Sequence, residues 1–81
     1  MTIDEKGRNE MTIGERIRFV RKQRKMTQME LANACHIKER VMISHYETGR
    51  SIPSMGRIEE MAKALDVSPA WLCGWTVGEQ R

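Results

Sequence analysis

Residues 26–49 read MTQMELANACHIKERVMISHYETG, and the spacing of caps and apolar positions within them decides the fold. Thr27-Gln28-Met29-Glu30 has the form of a capping box: the Thr hydroxyl can accept the amide of the third helical residue, while the Glu side chain returns to the amide of the cap. Met26 before it and Leu31 after it occupy the two positions of a hydrophobic staple. A short helix through Leu31, Ala32 and Cys35 is predicted, then a few turn residues containing His36 and Ile37. A further helix follows from about Glu39 to Thr48, with Ile43 and Tyr46 on one face. Gly49 stands where that helix would end in left-handed backbone, which glycine adopts without a Cβ penalty.

The same punctuation continues outward. Towards the N-terminus, Thr12-Ile13-Gly14-Glu15 is a second capping box, and Ile13, Ile17 and Val20 form one apolar stripe of a helix running to about Lys25. Towards the C-terminus, Ile52-Pro53 forces an extended step and Ser54 caps a helix carrying Ile58, Met61, Ala62 and Leu65. Ser68-Pro69 places a cap before a proline at the first helical position, opening a short fifth helix through Trp71, Leu72 and Trp75. No period-two strand pattern stands out. The predicted fold class is all-α: a compact five-helix domain over residues 12–76, with a flexible N-terminal segment over 1–11 and a short tail over 77–81.

A chain of 81 residues has room for one domain. Its 40% hydrophobic content includes seven Met but only four aromatic rings, so a thin core is expected. Domains of this size bury only roughly 60% of their unfolded surface. Met26, Met29, Met42 and Met61 read as adaptable core filling, and Cys35 as a buried core residue. Cys35 and Cys73 belong to no C-x-x-C pair, which fits a reducing compartment. No apolar run approaches the roughly 20 residues that span a bilayer, and the first residues alternate charges instead of forming a signal region. A soluble, cytoplasmic protein without membrane contact is expected.

The formal net charge is +3, and it is unevenly placed. Residues 12–25 carry Arg16, Arg18, Arg21, Lys22, Arg24 and Lys25 against Glu15 alone. Such a stretch suits a polyanion, and equally a solvated helix face. Residues 1–11 carry a slight negative excess, unlike an arm that would wrap DNA.

Other chemistries find little support. Cys35, His36 and His45 are three potential metal ligands without a second paired motif. Ser44, His45 and Glu47 lie within one turn and diverge, so no hydrolase triad can form from them. Neither a phosphate-cradling Gly loop nor a His-Glu-x-x-His helix is present. The expectation is no enzyme, no metal, no cofactor and no small-molecule ligand.

Six words in order carry a family resemblance: Ile13-Gly14-Glu15-Arg16-Ile17-Arg18; Thr27-Gln28 with Leu31-Ala32; Ile43-Ser44-His45-Tyr46-Glu47 with Gly49; Pro53-Ser54; Ala62-Lys63-Ala64-Leu65; and Val67-Ser68-Pro69-Ala70-Trp71-Leu72. Through them residues 12–75, about four-fifths of the chain, resemble the Cro/CI-type helix-turn-helix domain, the lambda-repressor-like fold of the XRE family found in many phage and bacterial repressors. The ending through Leu72 and Gly74 is similar to that of prophage-encoded repressors. The resemblance implies a sequence-specific DNA-binding transcriptional regulator. It would be a phage- or prophage-type repressor binding a pseudo-palindromic double-stranded operator as a homodimer, with its third helix in the major groove.

The resemblance also assigns roles. Gln28, beside the cap Thr27, would meet a phosphate. Arg21 and Glu47 would form an ion pair tying helix one to the end of helix three, unless Arg21 meets phosphate itself. Arg50 and Ser51 begin the loop that would follow the DNA backbone, with Lys22, Arg18 and Lys38 as further backbone contacts. With one cation of helix one spent on the ion pair, five would remain to face DNA.

One departure bears on register. The stretch from Leu31 to Glu47 is one residue longer than the common family pattern, and His36 stands about where the usual turn glycine would be. Either His36 takes left-handed backbone or the turn is rebuilt. Anchoring on Ile43, Tyr46 and Gly49 makes Lys38 the extra turn residue and puts Glu39 at the N-cap, where its carboxylate can accept a free amide. Arg40, Val41, Ser44 and His45 then form the groove-facing stripe, with Arg40 able to read guanine and Val41 a thymine methyl. The competing reading has Val41 and Met42 partly in the core. A homodimer seam is expected at Trp71, Leu72, Trp75 and Val77, because two Trp near the chain's end exceed what a thin core needs. The rival function is an antitoxin-like interaction module that neutralises a toxin and regulates its own operon; the few residues after helix five speak against it.

Overall fold

The computed structural model describes residues 11–74. Five helices follow one another: α1 (Ile13–Gln23), α2 (Gln28–Ala34), α3 (Arg40–Thr48), α4 (Met55–Leu65) and α5 (Pro69–Cys73), and no strand occurs among the described residues. Both capping boxes form. The Thr12 amide donates to Glu15 Oε1 at 2.9 Å and the Glu15 amide to Thr12 Oγ1 at 3.1 Å. At α2 the matching bonds are 2.8 and 3.0 Å. Ser54 Oγ accepts the Arg57 amide and Ser68 Oγ the Trp71 amide, so four of the five helices start on a side-chain cap that satisfies an otherwise unpaired donor.

α3 is the exception. Glu39 is its N-cap residue in extended backbone, as the register anchored on Gly49 requires, but its carboxylate makes no capping bond. The Met42 amide turns instead to the carbonyl of Glu39 at 3.0 Å, a tight first turn that leaves nothing at that position for the carboxylate to accept.

The core is built from the predicted stripes. Ile17, Leu31, Cys35, Ile43, Met61, Leu65 and Leu72 are fully buried, with Val20, Tyr46, Ile58 and Ala62 around them. Met26 and Met42 pack against this core, whereas Met29 is 46% exposed and is not core filling. Three ends differ from the sequence expectation. α1 stops at Gln23, with Lys25 in left-handed backbone. α2 stops at Ala34, with Cys35 as its C-cap. α5 stops at Cys73, where Gly74 takes φ 82°, and Trp75 lies outside the described residues. The expected flexible segment lies outside them too, apart from Met11, as do Val77 and the rest of the tail.

His36 adopts φ 60°, in the place where a glycine would be unstrained. It is exposed, so its side chain adds little packing to offset that backbone. His36→Gly is therefore expected to raise stability by about 0.5–1 kcal/mol, after allowing for the extra freedom glycine gives the unfolded chain. A thermal melt should show the midpoint rising by a few degrees. An unchanged or lower midpoint would mean the imidazole makes a contact worth more than the strain.

Candidate nucleic-acid interface

The site begins at the close contact of α1 with α3. Gly14 lies against the end of α3, where an added Cβ would overlap the carbonyl oxygen of Tyr46 and come within 2.8 Å of that of Glu47. This approach brings Arg21 onto Glu47. Arg21 Nε donates to Glu47 Oε2 at 2.6 Å and Nη2 to Oε1 at 3.2 Å, while Nη1 donates to the Met26 carbonyl at 2.7 Å. Each of the three guanidinium nitrogens donates a bond, and the two side chains retain only 10% and 3% of their exposure. The guanidinium therefore serves packing of the helices, and the alternative in which Arg21 meets phosphate directly is set aside.

The polar chain continues onto the helix-turn-helix unit. Gln28 Nε2 donates to Glu47 Oε1 at 3.0 Å, and Gln28 Oε1 accepts from Arg40 Nη1 at 3.1 Å. Arg21, Glu47, Gln28 and Arg40 thus link α1, α2 and both ends of α3 in one run of charge-assisted bonds. Sequence reasoning placed Gln28 against a phosphate. In the structure both ends of its side-chain amide are bonded within the protein, which a single sequence could not signal because Gln28 and Arg40 belong to different helices.

Along α3 the outward stripe is as the C-terminal anchor placed it. Arg40 is exposed, Val41 is 42% exposed, and Ser44 and His45 are half-buried; Met42 is the residue that turns to the core. Val41, Ser44, His45, Thr48, Gly49 and Arg50 line one shallow open groove. Gly49, at φ 83°, ends α3, and the amides of Arg50 and Ser51 both donate to the His45 carbonyl at 2.8 and 3.2 Å, which holds the start of the loop beside the stripe. Arg18, Lys22, Thr27 and Lys38 are exposed, and Ser51 is half-buried.

The basic helix is less available than its composition suggests. Arg16 is buried: it donates to the carbonyls of Trp71 at 3.0 Å and Met11 at 3.3 Å, and its guanidinium lies 4.8 Å over the Trp71 ring. Arg24 donates to the carbonyls of Leu65 at 2.9 Å and of the C-cap Asp66 at 3.2 Å, at the end of α4. With Arg21, three of the six cations of α1 and its turn hold the fold. Arg24 stays exposed despite those bonds, together with Arg18, Lys22 and Lys25, so four of the six cations are exposed where the sequence suggested five.

The expected seam at the C-terminal end also changes. Leu72 is fully buried in the core and offers no surface to a second chain. Trp71 is half-buried, with Arg16 stacked on its ring. Among the described residues no group of three or more His, Cys, Asp or Glu converges as a metal ion would need. Burial pushes the Cys35 thiol up to about 11, with nearby Glu60 adding to the shift and Arg57 opposing it, so Cys35 stays a neutral core side chain at pH 7.

The helix-turn-helix family model matches residues 17–72, which includes α2, the turn, α3 and their supporting helices. The chain belongs to the Cro/CI-type helix-turn-helix family. Among curated relatives, the HTH-type transcriptional regulator DicA of Escherichia coli (strain K12) is 44% identical over 62 residues, covering 76% of this chain and 45% of that protein. The immunity repressor protein of Bacillus phage phi105 is 36% identical over 64 residues, covering 79% and 44%. The chain thus spans less than half the length of these relatives. Among solved structures, the P22 c2 repressor in complex with a synthetic operator superposes with a TM-score of 0.76 at 32% identity, covering 82% of this chain and 98% of that one. The SinR/SinI complex gives 0.70 at 28% identity, covering 86% and 64%. No helix among the described residues is long and apolar enough to cross a membrane.

Proposed function

We propose that this Cro/CI-type domain, over residues 12–76, is the sequence-specific DNA-binding part of a cytoplasmic, phage- or prophage-type transcriptional repressor. It would bind a pseudo-palindromic operator as a homodimer, with α3 in the major groove. The observation that carries the reading is the stripe of Arg40, Val41, Ser44 and His45, outward-facing on a helix whose inner face is locked to α1 by a buried ion pair. Such a helix offers a bidentate donor, a methyl-sized apolar surface and small polar groups on a rigid support, which is what base-edge readout requires. Lys22, Arg18, Lys38, Arg50 and Ser51 would position it through phosphates, together with the Thr27 end of α2. The reading assigns no catalytic step and no cofactor. The antitoxin-like alternative draws support from the SinR/SinI complex, in which a protein of this fold is bound to another protein.

Selection of bound duplexes from a random pool tests the proposal, and a two-fold related pair of short boxes is the expected product. On the selected duplex, Arg40→Ala should weaken binding by about 1–3 kcal/mol and relax preference at one base pair. Lys22→Ala should weaken all duplexes alike and flatten the dependence of log K on log salt by about one unit. Equal, sequence-independent losses from both variants would overturn the assignment of Arg40 to base readout, and a pool without enrichment would overturn the proposal itself.

A further inference from the structure

α3 leaves one large apolar side chain exposed among the described residues. Val41 is 42% exposed at the second position of the helix, where alanine or a straight-chain residue would favour the helix more. Its presence there does not serve the stability of α3. The valine side chain is stiff at χ1, so its two methyls are held in one place, against a groove whose other walls are Ser44, His45, Thr48, Gly49 and Arg50. Thr48 Oγ1 is committed to the Ser44 carbonyl at 2.9 Å, whereas a serine hydroxyl such as that of Ser44 both donates and accepts. The residue before Val41 brings a different chemistry. Arg40 gives Nη1 to Gln28 Oε1 at 3.1 Å, and its Nε and Nη2 make no hydrogen bond within the described residues. Those two nitrogens share one edge of the guanidinium and are the parallel donors that fit O6 and N7 of a guanine.

We infer that Arg40 and Val41 together select a guanine beside a pyrimidine that carries a C5 methyl group, so that 5-methylcytosine serves in place of thymine at that base pair, and uracil or unmethylated cytosine does not. This rests on the DNA-binding reading, with α3 in the major groove. Consecutive helical residues stand about 1.5 Å apart along the axis and are turned by about 100°. Stacked base pairs are about 3.4 Å apart, so the long arginine carries its free edge to the pair next to the one beneath Val41. An isopropyl group neither donates nor accepts a hydrogen bond. It registers the methyl at C5 and is indifferent to whether C4 bears the oxygen of thymine or the amino group of cytosine. Ser44, on the same stripe, can donate to the one and accept from the other, so it does not restore the distinction. The methyl is then the discriminating feature, and methylation of cytosine in the DNA would create boxes that the unmethylated sequence lacks.

Duplexes that differ at single positions of the selected box test it. Replacing thymidine by deoxyuridine removes the methyl and leaves base pairing and every hydrogen-bonding group unchanged. At the base pair read by Val41 this should weaken binding about fourfold, the worth of one buried methyl-sized group, and the loss should disappear in Val41→Ala. Replacing the same T·A pair by C·G should also weaken binding, and methylating that cytosine at C5 should restore about fourfold, again only while Val41 is present. A guanine should flank the pair, and Arg40→Ala should abolish the preference for it while the thymine-to-uracil ratio persists. Position 41 is exposed and alanine favours a helix, so Val41→Ala should melt no lower than the unaltered chain. A thymine-to-uracil loss that survives in Val41→Ala, uracil equal to thymine at every position of the box, 5-methylcytosine no better than cytosine, or a box without the flanking guanine overturns the inference and leaves the DNA-binding reading standing. A random pool without any enriched duplex removes that reading, and the inference with it.

Discussion

Glu47→Gln is expected to destabilise the domain by about 3–5 kcal/mol, as removal of one partner from a buried ion pair does. The neutral amide leaves the Arg21 guanidinium, 10% exposed in its side chain, with the Met26 carbonyl and no carboxylate. Gln28 would at the same time lose the charged acceptor of its Nε2. Native domains hold roughly 0.05–0.15 kcal/mol per residue, on the order of 4–12 kcal/mol for a chain of this length, so the loss approaches the whole margin. Urea unfolding at neutral pH measures it. The companion variant Arg21→Met with Glu47→Leu should recover most of the loss, because a packed apolar pair avoids the desolvation that the ions undergo. A single variant costing less than about 1 kcal/mol would show that the pair is solvated and that α3 is held by its apolar face alone. The double variant separates two roles further: if it folds, Gln28 and Arg40 lose their link to α1, and operator selectivity should fall although stability has returned.

The order of helices was legible in the sequence because each boundary is set by neighbours in the chain. Thr12 with Glu15, Thr27 with Glu30, Ser54, Ser68 and Gly49 act within a few residues of themselves, and a local pattern can report a local bond. The Arg21–Glu47 pair came from resemblance, and the structure places it as expected. What composition could not convey is where long cationic side chains end. Arg16 and Arg24 finish on main-chain carbonyls of Trp71, Leu65 and Asp66, and every residue offers a carbonyl, so no residue type marks the partner. The same holds for Leu72. Its neighbours Trp71 and Trp75 suggested an exposed apolar end, while the turn at Asp66, with φ 62°, brings α5 back so that Leu72 points into the core. Ser68-Pro69 marked the break between the two helices, but the direction in which an aspartate in left-handed backbone sends α5 is not written in a local pattern.

These long-range bonds alter the meaning of the charge on α1. Six cations in the N-terminal helix and its turn suggested a broad phosphate-facing surface, but half of them hold carbonyls, a carboxylate or an aromatic ring of the protein. Arg18, Lys22 and Lys25 are exposed without such bonds, as are Lys38 and Arg50 from the loops around α3, and these would remain for a polyanion. Fewer phosphate contacts mean a shallower salt dependence, since each contributes close to one unit of slope. On the proposed reading, discrimination between sequences would then fall more heavily on Arg40, which Gln28 already holds by one nitrogen, leaving its remaining donors for a base edge.

Gly14→Ala is expected to cost about 2–4 kcal/mol even though alanine is the better helix former. In an unhindered helix the exchange would gain up to about 1 kcal/mol, and Gly56 in α4 supplies that control, because the nearest atom to a Cβ there is Ser54 Oγ at 4.0 Å. At Gly14 the new methyl would overlap the Tyr46 carbonyl oxygen and stand 2.8 Å from that of Glu47. Both are main-chain atoms of α3, so relief requires α1 and α3 to separate and not a side chain to rotate. Overpacking of this kind costs about 1–3 kcal/mol and more when backbone must move. Thermal unfolding should show Gly56→Ala at or above the unaltered midpoint and Gly14→Ala more than 10 °C below it. Equal midpoints would mean the two helices have slack that the geometry denies. Separation would also lengthen the 2.6 Å contact of Arg21 with Glu47, so the variant should weaken operator binding at temperatures where it is still folded. Glycine at position 14 thus sets the distance at which the ion pair from α1 can hold α3, and with it the face proposed to meet base edges.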